Sequence, residues 1–197
     1  MGTQWPAGEG PRPGDVILAV SKNPKWAIYA TLQLISGSPS MYTHAALCLS
    51  EDTYLDHRPG GTEIRAISTL SERAAVAFSR NHLTDDQRSV LVETARDCLD
   101  SPYTFWRFGY LAGKTFRLGN KIIGALDKKC GEASICSELI LRIYQDAGGP
   151  FAGRVREPKD ASPGTLSHLG AWSHYQSDPL SFLDPLTEPS EGTTVLP

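Results

Sequence analysis

The chain has 197 residues, of which 40% are hydrophobic and 21% are charged, and its formal net charge is −3. The length and composition suit a single globular domain with a substantial core rather than two domains. The small negative charge provides no basic footprint, so we expect no nucleic-acid partner. No run approaches the twenty or so apolar residues of a membrane span. The N-terminal residues lack the basic and apolar regions of a signal peptide. We therefore expect a cytoplasmic protein, with export by a dedicated secretion system or release by lysis left open.

The two ends of the chain differ in composition from its middle. Residues 1–13 are rich in glycine and proline, which predicts a flexible arm. Residues 181–197 are rich in proline, glutamate and threonine, which predicts a disordered tail. Residues 14–180 between them form the predicted catalytic domain.

The first half of this domain has the patterns of a β-sheet. Val16–Val20 is a short β-branched run that predicts a buried strand, and apolar residues at helical spacing predict a short helix from Lys25 to Leu34. Three further strand-like runs are separated by turn residues and predict an antiparallel meander, namely Tyr42–Leu49, Thr53–His57 and Thr62–Ile67. Ala74–Phe78 predicts an additional strand.

The second half is predicted to be mainly helical. Thr84 and Gln87 form a capping-box pattern that opens a helix ending near Ser101. Residues 103–130 predict a long loop that contains one short helix, over Leu118–Leu126. A second helix is predicted to begin at Ser134 as its N-cap and to stop at the glycines that follow residue 147.

Cys136 is the candidate nucleophile, and we expect its thiol to be accessible, because it falls in the first turn of that second helix. Free N–H groups and the positive end of the helix dipole favour a thiolate there, and the same groups can hold an oxyanion. The alternative is a buried, inert cysteine, a common environment for this residue type. The other cysteines are Cys48, Cys98 and Cys130, and their spacing supports neither a zinc site nor a disulfide framework.

His44 is the candidate base for Cys136. Strand alternation places its side chain on the face opposite Ala45 and Leu47, and a cysteine nucleophile normally requires a histidine. The third member of such a triad orients the imidazole. Asp56 on the neighbouring strand could reach His44 across the hairpin, and His57 is the alternative.

The order of these segments resembles that of circularly permuted NlpC-type peptidases, the YiiX-like branch of the papain-like superfamily, which are related to lecithin retinol acyltransferase-like enzymes. In this order the histidine precedes the cysteine. The resemblance covers roughly residues 14–147 and rests on segments that match the family's opening strand, histidine strand, acidic strand, Pro-Tyr segment and nucleophile helix. These are Gly14–Ile17, Thr43–Leu47, Tyr54–Asp56, Gly61–Ile64, Ser101–Phe105 and Cys136–Ile140.

The resemblance implies a fold and a set of roles. The fold would be α+β and papain-like, an antiparallel and partly barrel-like sheet of five or six strands with the nucleophile helix packed against it. Cys136 would be the nucleophile, His44 the base and Asp56 the orienting residue. Tyr103 and Ser137 would contact the substrate or the oxyanion. We expect neither a metal nor an organic cofactor.

The reaction implied is hydrolysis through a thioester of a small peptide or acyl substrate. An amide in peptidoglycan-type peptides is the first expectation for the substrate. A lipid-directed acyl hydrolase or acyltransferase is the alternative, and an inactive papain-like binding module is a third hypothesis. Residues 104–130 have no counterpart in the family, and we expect them to form a mobile cover over the site.

Overall fold

The computed structural model describes residues 10–22, 31, 33, 40–155 and 157–175. Its centre is one antiparallel sheet of six strands in the order β4-β3-β2-β1-β5-β6. The strands are β1 (Val16–Val20), β2 (His44–Cys48), β3 (Thr53–Arg58), β4 (Gly61–Ala66), β5 (Ala75–Ser79) and β6 (Trp172–Tyr175).

The short apolar strand β1 lies in the middle of this sheet. It pairs with β2 on one side and β5 on the other, which explains why Val16, Ile17 and Leu18 are all fully buried. The strands β2, β3 and β4 form the predicted meander. The sheet is open, with β4 and β6 at its edges, so the expected partial barrel is not what the described strands form.

Residues 31 and 33 belong to a helical segment that is only partly described. The described part of the chain contains five further α-helices. They are α1 (Asp85–Asp97), α2 (Trp106–Thr115), α3 (Asn120–Cys130), α4 (Cys136–Asp146) and α5 (Pro163–Ser167). Short 3-10 helices span Ile67–Glu72 and Pro158–Asp160. The capping box at Thr84 is confirmed, because its hydroxyl accepts from the Gln87 N–H and the Gln87 side chain accepts from the Thr84 N–H.

Apolar side chains cover both faces of the sheet. On one face, Leu18 and Leu47 pack with residues of α1, α4 and α5, and Cys136 belongs to this cluster. On the other face, Ile17 and Phe78 pack with the 3-10 helix at Ile67–Glu72. Strand alternation therefore divides β2 and β3 between the two clusters, and it also decides on which side each polar residue of these strands lies.

The segment predicted as a long loop with one short helix over Leu118–Leu126 is instead a helical hairpin, formed by α2 and α3. The predicted short helix overlaps α3, whereas α2 was not predicted. The hairpin is tied to α4 by Arg107, whose side chain is 2% exposed and whose Nε lies 2.8 Å from Glu138. Arg107 also bonds Asp127 of α3 at 2.7 Å, so one buried guanidinium joins three helices.

Several predictions lie outside the described residues. The predicted helix Lys25–Leu34 is described at residues 31 and 33 alone, and the predicted arm 1–13 from residue 10 onward. The predicted tail 181–197 is wholly outside. Within the part of the chain that is described, none of the helices combines the length and the apolar character of a membrane span.

Candidate active site

Cys136 is the first residue of α4, so it occupies the helix start as the sequence predicts. The cap differs from the prediction, however: Ile135 is the N-cap, and no side chain caps the helix. The first N–H groups of a helix have no partner within the helix, and the positive end of the dipole lies there. Cys136 is only 1% exposed, so the accessible thiol expected from its position is a buried one.

His44 and Asp56 form a close buried pair at the other side of the site. Nε2 of His44 lies 2.6 Å from Oδ1 of Asp56, which is fully buried. The two residues meet because Asp56 pairs in register with Ala46, and so it lies diagonally across the β2–β3 hairpin from His44 on the same face of the sheet. Asp56 is thus the residue that contacts His44.

His44 is the first residue of β2, and Cys136 acts on it there through its charge and a side-chain hydrogen bond. Because Nε2 of the imidazole is bonded to Asp56, Nδ1 is the nitrogen left for the sulfur. Burial lowers the pKa of His44, but the charges of Cys136 and Asp56 and their hydrogen bonds raise it by more, to about 9. An imidazolium at neutral pH is therefore favoured beside the sulfur of Cys136.

Asp56 remains ionised despite its burial. Burial raises the pKa of this carboxyl, but His44, Arg73 and Arg58 lower it further, so the pKa lies well below its usual range. Its second oxygen, Oδ2, is 3.4 Å from Nη1 of Arg65 and 3.9 Å from Nε of Arg58. A fixed negative charge of this kind can both orient the imidazole and stabilise its protonated form.

His57 does not orient the imidazole of His44, which was the alternative role considered for it. Its side chain points to the opposite face of β3, where Nδ1 lies 2.8 Å from the Thr62 hydroxyl. Nε2 lies 3.2 Å from the Ser134 carbonyl oxygen and 3.1 Å from the Ser134 hydroxyl. Burial and the nearby charge of His44 lower the pKa of His57 to about 4, so it is neutral at pH 7. His57 therefore holds the backbone two residues before Cys136.

The two residues expected to contact the substrate or the oxyanion are placed differently. Ser137 is fully buried and its hydroxyl donates to the Ala161 carbonyl at 2.9 Å, so only its backbone N–H is left for an oxyanion. Tyr103 is half-buried and forms a parallel bridge with Ser134. Its ring centroid is 5.0 Å from that of His57. Tyr103 therefore lies beside the segment that leads into α4.

A cleft of about 390 Å³ opens beside His44, and the sequence reasoning missed the cations around it. Four basic residues line it, namely Lys22, Arg58, Arg65 and Arg73. The sequence does contain a signal for two of these four basic residues. Arg58 and Arg65 share the Asp56 face of β3 and β4 by strand alternation, and a buried carboxylate requires cationic neighbours.

The chain was compared with models of known families, with curated proteins and with solved structures. No family model matches the chain, and no curated protein matches it. The structure is similar to the crystal structure of the metalloprotein YiiX from Escherichia coli O157:H7 (DUF1105), with a TM-score of 0.54. The two are 15% identical over an alignment that covers 85% of this chain and 98% of YiiX. At this identity the likeness shows a shared fold, an α+β fold of the YiiX type.

Proposed function

We propose that this protein is a cysteine hydrolase of the permuted papain-like type, with Cys136 as nucleophile, His44 as base and Asp56 as the residue that orients His44. The observation that carries the proposal is the chain of contacts in the buried site, from Asp56 through His44 to Cys136. Asp56 bonds His44 at 2.6 Å, and His44 in turn lies within hydrogen-bonding reach of a cysteine at a helix N-terminus. This constellation is the recognised geometry of an activated cysteine.

The chemistry follows from these positions. The Cys136 thiolate attacks the carbonyl carbon, and the N–H groups at the start of α4 stabilise the oxyanion that forms. The imidazolium of His44 gives its proton to the leaving amine or alcohol, which leaves a thioester on Cys136. His44 then takes a proton from water, the hydroxide attacks the thioester, and the carboxylic acid product leaves with the thiolate restored.

The substrate class has a first and a second candidate. An amide in a peptidoglycan-type peptide remains the first, by resemblance. A lipid-directed acyl hydrolase is favoured by a specific observation, the exposed apolar surface of the helical hairpin. Phe105 is 47% exposed and Trp106 49%, whereas Phe108 and Tyr110 of the same segment are buried. Phe116 and Ile122 extend the exposed surface.

The name of YiiX states that it is a metalloprotein, so we tested whether the residues here suit a metal. The carboxylate of Asp56 is engaged by His44 through Oδ1 and by Arg65 through Oδ2. His57 is occupied by Thr62 and Ser134. Among the described residues no group of three histidine, cysteine or acidic side chains could hold a metal ion. The residues at the site therefore do not fit a metal centre, and the proposed steps use none.

The test is to incubate the protein with purified peptidoglycan and, separately, with a panel of acyl lipids, and to identify products by mass spectrometry. The Cys136→Ala variant should lose all turnover, while the matched Cys98→Ala variant should keep it. A mass increase equal to the acyl group on Cys136 alone would identify the thioester. Turnover by Cys136→Ala at the wild-type rate would refute the proposal, and absence of any covalent adduct or product would favour the inactive binding module.

A further inference from the structure

The cleft beside His44 carries unequal charge. Of the described residues that line it, four are basic and a single one, Glu72, is acidic. His44 lies at its wall. A cleft whose walls carry mainly one sign of charge concentrates ligands of the opposite sign.

Two of the four cations are already neutralised. Arg58 and Arg65 both lie near Asp56, and both also pair with Glu63, to which Arg65 Nε approaches within 3.7 Å. These two arginines therefore have carboxylate partners within the protein. Their contribution is to keep Asp56 ionised.

The other two cations are differently placed. Within the described residues, Nζ of Lys22 donates one long hydrogen bond, 3.4 Å, to the uncharged carbonyl of Ser71. Arg73 is half-buried, and it forms no ion pair with any residue in the described part of the chain. Its charge still acts on the site, because it helps to lower the pKa of Asp56. A half-buried guanidinium without a carboxylate beside an acid–base pair can bind an external anion.

We infer that this cleft is an anion subsite, in which Arg73 and Lys22 bind a carboxylate or phosphate of the substrate whose acyl group reaches Cys136. The inference rests on the proposed function for the identity of that acyl group. A guanidinium suits the task because its planar fork bonds two oxygens of one anion, whereas Lys22 adds a point charge. Peptides with a free carboxylate and lipids with a phosphate headgroup share this chemistry.

The site can be tested without a substrate by titrating inorganic phosphate into the wild-type protein at constant ionic strength. The Arg73 Nε–H and His44 ring signals, observed by NMR, should shift and saturate. Arg73→Gln should weaken phosphate binding about tenfold or more, the size expected for one charge-assisted hydrogen bond. Lys22→Gln should weaken it less. Arg96→Gln removes an exposed arginine of α1 that does not line the cleft, and it should leave binding unchanged.

Turnover then identifies the source of the anion. Acyl amides that end in a carboxylate are compared with their carboxamides, and acyl phospholipids with neutral acylglycerols, by kcat/KM in wild type and Arg73→Gln. We expect the anionic member of one pair to be preferred, and the preference to disappear in Arg73→Gln. Equal kcat/KM within both pairs, no phosphate binding by the wild-type protein, or phosphate binding that Arg73→Gln leaves unchanged would overturn the anion subsite. Arg73-dependent phosphate binding without turnover of any compound would instead support the subsite and refute the proposed function.

Discussion

Replacing Asp56 by asparagine should lower the pKa of His44 from about 9 to between 7 and 8. Asparagine can still accept the Nε2–H bond, so the change removes the charge rather than the contact. A hydrogen bond to a charged group stabilises by about 1.5–3 kcal/mol, and one pKa unit corresponds to about 1.4 kcal/mol. The expected shift is therefore about one to two units downward. Arg65 and Arg58, released from the carboxylate, would push it in the same direction.

The same substitution should change how stability depends on pH. His44 has a raised pKa in the folded state, so its contribution is fully present below pH 6.5 and is lost as the pH rises through about 9. A rise from 6.5 to about 9 corresponds to roughly 3 kcal/mol. In Asp56→Asn about half or more of this stabilisation should be missing at pH 6, and the remainder should be lost by about pH 8.

The assay combines NMR titration of the His44 ring with urea unfolding at pH 6 and pH 10. The matched control is Asp52→Asn, which removes an exposed carboxylate from the turn of the same hairpin and should leave both measurements unchanged. Cys136→Ala should also lower the pKa of His44, because the sulfur is the largest of the influences that raise it. A His44 pKa near 9 in both variants, or near 6.5 in the wild type, would refute the reasoning.

Three further results are expected. Iodoacetamide near pH 7 should modify Cys136 before the other three cysteines despite its burial, because the imidazolium of His44 lies beside its sulfur, and mass spectrometry of the digested protein would show the order. Arg107→Met should lower the free energy of unfolding by about 3 kcal/mol because it leaves Glu138 buried with one exposed partner, and adding Glu138→Leu should restore much of it, as urea unfolding would show. Limited proteolysis of the hairpin should cut between residues 116 and 119, where α2 and α3 connect. Cleavage throughout residues 104–130 would instead support the mobile cover that the sequence predicts.

Much of the sheet could be predicted from local patterns. Val16–Val20 was predicted to the residue, and the β2–β3–β4 meander to within two residues at each end. The strand β6 was missed because it pairs with β5, which lies more than ninety residues earlier, and its neighbours are rich in proline and serine. Pairing over such a distance leaves no mark on the local pattern.

The first helix of the hairpin, α2, was missed for a different reason. Its glycines lower helix propensity, and the sequence therefore favoured a loop. Packing outweighs propensity here, since the buried Arg107 joins the hairpin to α4. The N-cap of α4 was likewise misassigned because Ser134 bonds His57, a partner 77 positions away.

At the candidate site, the sequence predicted the contact between His44 and Asp56 but not the surroundings of the two residues. Strand alternation on β3 allowed only one of Asp56 and His57 to face His44, and the structure shows that it is Asp56. The expected accessibility of Cys136 did not follow, because burial depends on the packing of α4 against β2 and not on helix position. The basic cleft could not be predicted, because its basic residues come together from three separate segments of the chain. They are Lys22, Arg58, Arg65 and Arg73.

The bond between Arg107 and Glu138 has an evolutionary consequence. Glu138 lies two residues after Cys136, so a change on the hairpin that disturbs Arg107 also disturbs the helix turn that carries the sulfur. The exposed side of the hairpin can therefore diverge freely among descendants of this chain, whereas positions 107 and 138 have to change together. Related chains should therefore vary at Phe116 and Ile122 and should show paired replacement at the buried ion pair.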